Sequence, residues 1–262
     1  MKILILGCGP AGMIAAHAAA KRGHEVVLAS KPRKSRMNGA QYLHAPIPDA
    51  NKAPEFTINY QLSGDVLGYR TKVYGPESTV EVSPESLVGQ HPAWDIREAY
   101  DWLWEEYKGQ IMLWEGSGPD SVLRLLRRVR PDTTISTIPA PLMCARKHAF
   151  EEARIWATEF AHGQISNNTV LCQGDSRFQW YRSSRIQNYQ NTEWPLSFQP
   201  PADMAMSRVH EVVKPIATNC DCFPGITRMG RYGQWKKGVL SHEAWSDTND
   251  LLDRIENGGN TK

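Results

Sequence analysis

The chain has no excess of charge. Its 30 Lys and Arg stand against 28 Asp and Glu in 262 residues, which leaves a net +2. That balance lacks the basic footprint that phosphate backbones select, so nucleic acid is not expected as a partner. No apolar run approaches the ~20 residues that a bilayer crossing needs, so no membrane association is expected. No charged stretch followed by an apolar core and a small-residue cleavage site stands near Met1, and the 5 cysteines are scattered and odd in number. These absences predict a cytoplasmic protein in a reducing compartment. Cys220 and Cys222 form C-x-C, but no second pair at ligand spacing accompanies them, so no metal is expected. No Ser/His/Asp set, zinc spacing or carboxylate pair stands out.

What is present is concentrated at Met1 to Gly12. An apolar run, Ile3 to Leu6, meets Gly7-Cys8-Gly9-Pro10-Ala11-Gly12, and an Ala-rich segment leads to a second apolar run, Val26 to Leu28. Strand, glycine turn, helix and strand in that order give the context in which G-x-G-x-x-G binds a dinucleotide. Gly7 permits the turn, Gly9 leaves room for a pyrophosphate, and Gly12 lets the helix approach the sheet. Pro10 and Ala11 open a helix whose free N–H groups favour phosphate. The acidic residue that usually ends the second strand and holds a ribose is missing. Ala29-Ser30-Lys31-Pro32-Arg33-Lys34 stands there instead. Ser30 offers a hydroxyl to a ribose, whereas Lys31, Arg33 and Lys34 would suit a 2′-phosphate. On this stretch FAD and NADP remain equal alternatives.

Residues 31–54 read as a long loop, with Gly39, Ala40, Gln41 and His44 as candidates to lie against a flat ring or a substrate. Residues 56–62, 66–74 and 80–82 alternate and predict antiparallel strands, with Gly64-Asp65 as a turn. Residues 96–107 have helical spacing with a charged face, and 111–114 predict a short strand. Asp120 or Ser121 is expected to cap a helix over 122–130 whose arginines form a solvated face. Residues 133–139 predict a parallel strand, 150–160 a helix or a strand, 170–172 a short strand, and 178–186 a strand bearing Tyr181, Arg182 and Arg185. A short strand then runs into Gly230-Arg231-Tyr232-Gly233 and a helix, and after Asp250 the tail Asn257-Gly258-Gly259-Asn260 is expected to fray. The 9 tryptophans are many for this length, and ordinary packing is expected for most of them.

Four of these stretches carry a resemblance: the Gly7–Gly12 turn, Gly39-Ala40, Ile135 to Pro139, and Gly230-Arg231-Tyr232-Gly233. With them the chain resembles flavoproteins of the UDP-galactopyranose mutase and amine oxidase type, in a shortened form. The resemblance implies an α/β, Rossmann-like FAD/NAD(P)-binding fold with a small inserted antiparallel β-rich substrate domain. It implies FAD rather than NADP. It further implies that Arg231 contacts the diphosphate, that Trp235 to Val239 lies near the flavin, and that Trp180, Tyr181 and Arg182 sit on the substrate side. The FAD-binding part is expected over 1–55, 110–145 and 215–250, and the substrate part over 56–109 and 146–214.

Three functions follow as expectations. The first is an FAD-dependent oxidoreductase of a small-molecule or nucleotide-linked substrate, for which a phosphate or carboxylate is one option, with His44, Tyr181 and Arg182 in contact with it. The second is a mutase-like isomerase acting on a nucleotide sugar. The third is a dinucleotide-binding module without catalysis.

Overall fold

The computed structural model describes residues 1–33, 41–116, 118–162, 165–187, 189–198 and 209–258. In chain order the first elements are β1 (Lys2–Leu6), α1 (Pro10–Lys21), β2 (Glu25–Ser30), β3 (Phe56–Ser63), α2 (Val66–Tyr74) and β4 (Gly89–Ala93). There follow α3 (Ile96–Tyr107), β5 (Ile111–Leu113), α4 (Pro119–Val129), β6 (Thr133–Ser136), β7 (Phe150–Thr158) and β8 (Thr169–Gln173). The last are β9 (Arg182–Ile186), β10 (Tyr189–Pro195), β11 (Val209–Thr218), β12 (Ile226–Arg228), α5 (Gly230–Gln234) and α6 (Glu243–Gly258). Among the described residues no helix is long and apolar enough to cross a membrane.

Two sheets organise these elements. The first is parallel throughout, in the order β12-β6-β1-β2-β5. Its central strand β1 reads as an unbroken apolar run because both faces are covered. Ile3 and Ile5 pack with Ile14 of α1, Leu103 of α3 and Leu252 of α6. Leu4 and Leu6 point the other way, to Val122 and Leu125 of α4. The second sheet has the order β11-β7-β10-β9-β8-β3-β4 and is antiparallel except where β3 runs parallel to β8. Helix α2 lays Tyr69 and Val73 on it, against Ile58, Ile155, Val170 and Tyr181. The chain is thus a mixed α/β molecule, with a Rossmann-like parallel sheet and an inserted, mainly antiparallel one. Helix α3 lies within the stretch expected to belong to the substrate part, yet it packs in the core of the parallel sheet.

Several local expectations are corrected. Residues 66–74 are a helix, not a strand. Asp65 is its N-cap, its Oδ1 accepting from the Gly68 N–H at 2.6 Å. Val66, Tyr69 and Val73 supply the i, i+3, i+7 spacing of its packed face. Residues 80–82 pair with no strand, and 178–181 lie outside β9. Residues 150–158 are a strand, which resolves that alternative. Helix α4 is capped by Gly118, with Pro119 at its first position rather than Asp120 or Ser121 at the cap. Past Asp250 the chain stays helical to Gly258, because Leu251 and Leu252 are buried and Arg22 binds the Asn249 carbonyl at 3.0 Å and pairs with Asp253 and Glu256.

A buried charge cluster crosses the second sheet. Glu193 of β10 is 1% exposed and accepts from Arg182 of β9 and Lys214 of β11. Lys214 Nζ also donates to the Tyr181 hydroxyl at 3.0 Å. Burial alone would raise the Glu193 carboxyl, but the two cations outweigh it and hold the group well below the usual carboxylate range. Removing the carboxylate strands two cations in the interior. Glu193→Ala is therefore expected to lower stability by about 3–5 kcal/mol, read from the midpoint of denaturant unfolding.

Candidate functional site

The site grows from the turn between β1 and α1. Gly7 has φ +96°, and a Cβ there would meet Thr137 Oγ1 at 2.8 Å. A Cβ on Gly12 would fall 1.9 Å from the Gly7 carbonyl oxygen, so only glycine lets the helix sit this close to the strand. Gly9 differs: a Cβ there would meet nothing within 4 Å. The space above Gly9 is open, as a pyrophosphate approaching the backbone requires. Gly9 caps α1 without a side-chain hydrogen bond, Pro10 is the first helical residue, and the first turn holds no acidic residue. The N–H groups of Ala11 and Gly12 therefore have no helical partner and carry the positive end of the helix dipole. Thr137, just past β6, secures the turn by donating to the Leu6 carbonyl at 3.0 Å. Tyr100 of α3 secures it from the other side, its hydroxyl donating to the Cys8 carbonyl at 2.7 Å.

The far end of the chain reaches this turn. β12 lies beside β6, and the Met229 N–H donates to the Ser136 carbonyl at 2.9 Å. Gly230 has φ +68°, and a Cβ there would stand 2.7 Å from the Ala11 Cβ. A Cβ on Gly233 would stand 2.5 Å from the Ser136 carbonyl oxygen. Residues 7–12 and 230–233 therefore share one locus. Arg231 leans from it towards β11, with Nη2 donating to the Pro215 carbonyl at 3.3 Å. Its Nε is buried and has no hydrogen-bond partner among the described residues. A buried guanidinium N–H without an acceptor is a group that an anion would complete.

The remaining sequence candidates divide. Ser30 ends β2, and its Oγ accepts from the Cys8 N–H at 3.3 Å, at the edge of the glycine turn. Lys31 is exposed. Arg33 pairs with Asp101 and lies over the rings of Tyr100 at 5.0 Å and Trp104 at 5.1 Å, so its charge is already taken up. Gly39 and Ala40 lie outside the described residues. Gln41 bridges the two sheets: its Oε1 accepts from Ser184 Oγ at 2.9 Å and its carbonyl from Arg97 at 3.3 Å. Trp235 is buried where α5 ends, its Nε1 donating to the Glu151 carbonyl at 3.0 Å and its ring meeting Phe150 edge-on. Val239 follows, partly buried. Tyr181 has no exposed surface, and Arg182 is committed to Glu193. The structure places these two inside the second sheet rather than beside the glycine turn.

His44 stands in aromatic company, its ring 4.7 Å from Tyr42 and 5.9 Å from His242. The Tyr42 and Tyr60 hydroxyls are 2.8 Å apart, and the Arg182 charge acts on both phenols, opposing the rise that burial imposes. Burial, then His242 and His91, lowers the His44 imidazole below its ordinary 6.5. Burial also lowers His242, whose Nδ1 has no hydrogen-bond partner among the described residues, and His17, which contacts the Tyr107 hydroxyl at 2.7 Å and the Pro48 carbonyl at 2.9 Å. Sequence reasoning missed Thr137, Tyr100, Tyr42 and His242. Thr137 was visible as the residue ending a parallel strand, where open α/β sheets build their sites. The other three carry no local signal.

With this geometry in hand, comparison places the chain among FAD-binding, Rossmann-like flavoproteins in fold. Residues 2–41 match a family model described as an FAD binding domain. No curated protein sequence matches the chain. Reduced UDP-galactopyranose mutase superposes with a TM-score of 0.58 at 11% identity, over 100% of this chain and 96% of that one. A flavoprotein/dehydrogenase from Cytophaga hutchinsonii gives 0.60 at 13%, over 98% and 79%. A probable FAD-dependent monooxygenase from Pseudomonas aeruginosa, pqsL, gives 0.52 at 13%, over 98% and 86%. The matched segment contains the glycine turn and Ser30, and it supports FAD rather than NADP as the cofactor.

Two outcomes are expected. Gly9→Ala places a methyl in open space at an ordinary φ of −72°, so stability should change by no more than about 1 kcal/mol while FAD affinity falls at least tenfold. Denaturant unfolding and flavin titration read the two separately. The three lowered histidines bind protons more readily when unfolded, so their contribution is intact above pH 6.5 and declines as pH falls below it. Urea midpoints at pH 7.5, 6.5 and 5.5 should decrease in that order, more shallowly in His44→Gln.

Proposed function

We propose that the protein is an FAD-dependent oxidoreductase acting on a small molecule that carries a phosphate or carboxylate. The observation that carries this reading is the meeting of Gly230 with Ala11, which brings the 230–233 segment to the bare α1 terminus; Arg231 in that segment has a buried Nε with no partner among the described residues. The Ala11 and Gly12 amides would hold one phosphate of FAD, Arg231 the other, and Ser30 the adenosine ribose. Gly39, Ala40 and Gln41 on one side, and Trp235 to Val239 on the other, would lie along the flavin. Bound FAD supplies two-electron transfer, the chemistry that protein side chains lack.

The chain's own residues then do the rest. His44, neutral at pH 7 because burial lowers it, accepts a proton from the substrate on an imidazole nitrogen. Tyr42 lies beside it, with its hydroxyl bonded to that of Tyr60. Arg182, held by Glu193, fixes the charge behind those phenols, and Tyr181 supports that arrangement from within the sheet. Arg182 and Tyr181 are thus positioning residues in this reading.

The test is the absorbance spectrum of the purified protein, with mass spectrometry of what heat releases. A yellow protein releasing FAD, reduced by a nicotinamide donor and reoxidised by an acceptor, is expected. His44→Gln should keep the flavin while losing about 10²–10⁴-fold in kcat. A colourless protein that takes up no FAD overturns the reading. Turnover of a nucleotide sugar by the reduced form alone, without net redox, would replace it with the isomerase. FAD bound tightly but reduced by no donor would replace it with the non-catalytic module.

A further inference from the structure

The chain passes between its two sheets through loops that run side by side. β6 leaves the parallel sheet through residues 137–149 to reach β7, and β11 returns through 219–225 to β12. β12 lies next to β6 in one sheet and β11 next to β7 in the other, so the two crossings are neighbours. Cys144 and His148 stand on the first crossing, and Cys220 and Cys222 on the second. Their four ligand atoms all lie within 4.8 Å of one another.

We propose that these four residues form a closed Cys₃His site for one Zn²⁺, which clamps both crossings and so fixes one sheet against the other. Cys144 Sγ and Cys222 Sγ lie 3.4 and 3.6 Å from His148 Nδ1. Zn–S near 2.3 Å and Zn–N near 2.0–2.1 Å at tetrahedral angles give a sulfur-to-nitrogen edge of about 3.6 Å. The donor set, three thiols and an imidazole, is the soft tetrahedral one that selects zinc over magnesium or calcium. Four protein ligands leave no open position, which marks the site as structural rather than catalytic.

The surroundings are those of a built metal centre. His148 Nε2 faces Asp221 Oδ1 at 3.4 Å, which holds that proton on Nε2 and leaves Nδ1 bare towards the sulfurs. The Ala145 N–H points at Cys222 Sγ at 3.4 Å. Arg228 reaches Cys220 Sγ at 3.4 Å and donates to the carbonyls of Cys220 at 2.9 Å and Cys222 at 2.8 Å. Three thiolates and Zn²⁺ leave one net negative charge, which the Arg228 guanidinium balances. Thr218 joins the crossings directly, accepting from the Cys220 N–H at 3.1 Å and donating to the Ala149 carbonyl at 2.8 Å. The C-x-C at Cys220 and Cys222 lacks a second pair at ligand spacing in the sequence; that pair is Cys144 and His148, a C-x₃-H far away in the chain that only the fold brings alongside.

The inference is independent of the cofactor, and so is its test. Protein purified without chelator should carry one equivalent of zinc by elemental mass spectrometry. Zinc-stripped protein given Co²⁺ should develop a thiolate-to-cobalt charge-transfer band and the intense visible bands of tetrahedral cobalt. Asp221→Asn should keep the site but weaken zinc by 10–100-fold. His148→Ala and Cys144→Ser should lose the metal. If those two variants fail to fold, the cobalt spectrum of the unaltered chain decides alone. A folded chain with less than a tenth of an equivalent of zinc and no thiolate band with Co²⁺ overturns the proposal. So does a disulfide from Cys144 to Cys220 or Cys222 in the metal-free purified protein.

Discussion

The close approach of backbone to backbone at the β1–α1 turn is the constraint on which the rest depends. Gly12 has no room for a side-chain atom against the Gly7 carbonyl, Gly7 takes a positive φ under Thr137, and Gly230 lies on Ala11. These three contacts set the distance of α1 from the parallel sheet and bring the last strand of the chain over the first turn. What they leave open is equally specific: the volume over Gly9 and the two unpaired amides behind it. Crowding around the turn and vacancy above it are two sides of one packing solution.

Away from that turn, polar groups do the organising. Gln41 spans from Arg97 on α3, which bonds its carbonyl, to Ser184 on β9, which bonds its side chain, so one residue touches both halves of the molecule. The Arg182, Glu193 and Lys214 cluster ties three strands of the second sheet across its width. A buried ion cluster adds little net stability over an apolar one but penalises any register that separates its members. The second sheet mixes parallel and antiparallel neighbours, and such a cluster specifies that β9 and β10 are adjacent and that β11 lies one strand beyond β10, across β7.

Much of the first sheet was legible because its signals are local. β1 is apolar without alternation, Gly7 to Gly12 follows it directly, and residues 133–136 and 226–228 end where turns begin. The second sheet was less legible where two periods compete. Val66 to Tyr74 alternates like a strand yet also places Val66, Tyr69 and Val73 on one helical stripe, and Asp65 as a cap decided the matter. Asn257 and Gly258 read as a fraying tail because the contacts that hold α6, through Leu251 and Leu252 to α1 and β1, join residues distant in sequence. The site divides on the same line. The glycine turn announces itself by spacing, whereas Tyr100, Tyr42 and His242 reach their places only through tertiary packing. Tyr181 and Arg182 carried the right chemistry for recognising an anion, but the nearby Glu193 takes that capacity up inside the sheet.

The pairing of Gly230 with Ala11 has a consequence for biogenesis. The two sides of this locus are made at different times during synthesis, residues 7–12 well before residues 230–233. The nascent polypeptide can form β1, α1 and β2 early, but it holds only half of this locus until β12 is threaded in beside β6. A nascent chain that stops before Met229 lacks the Gly230–Ala11 contact, so this locus is complete only after β12 has been made.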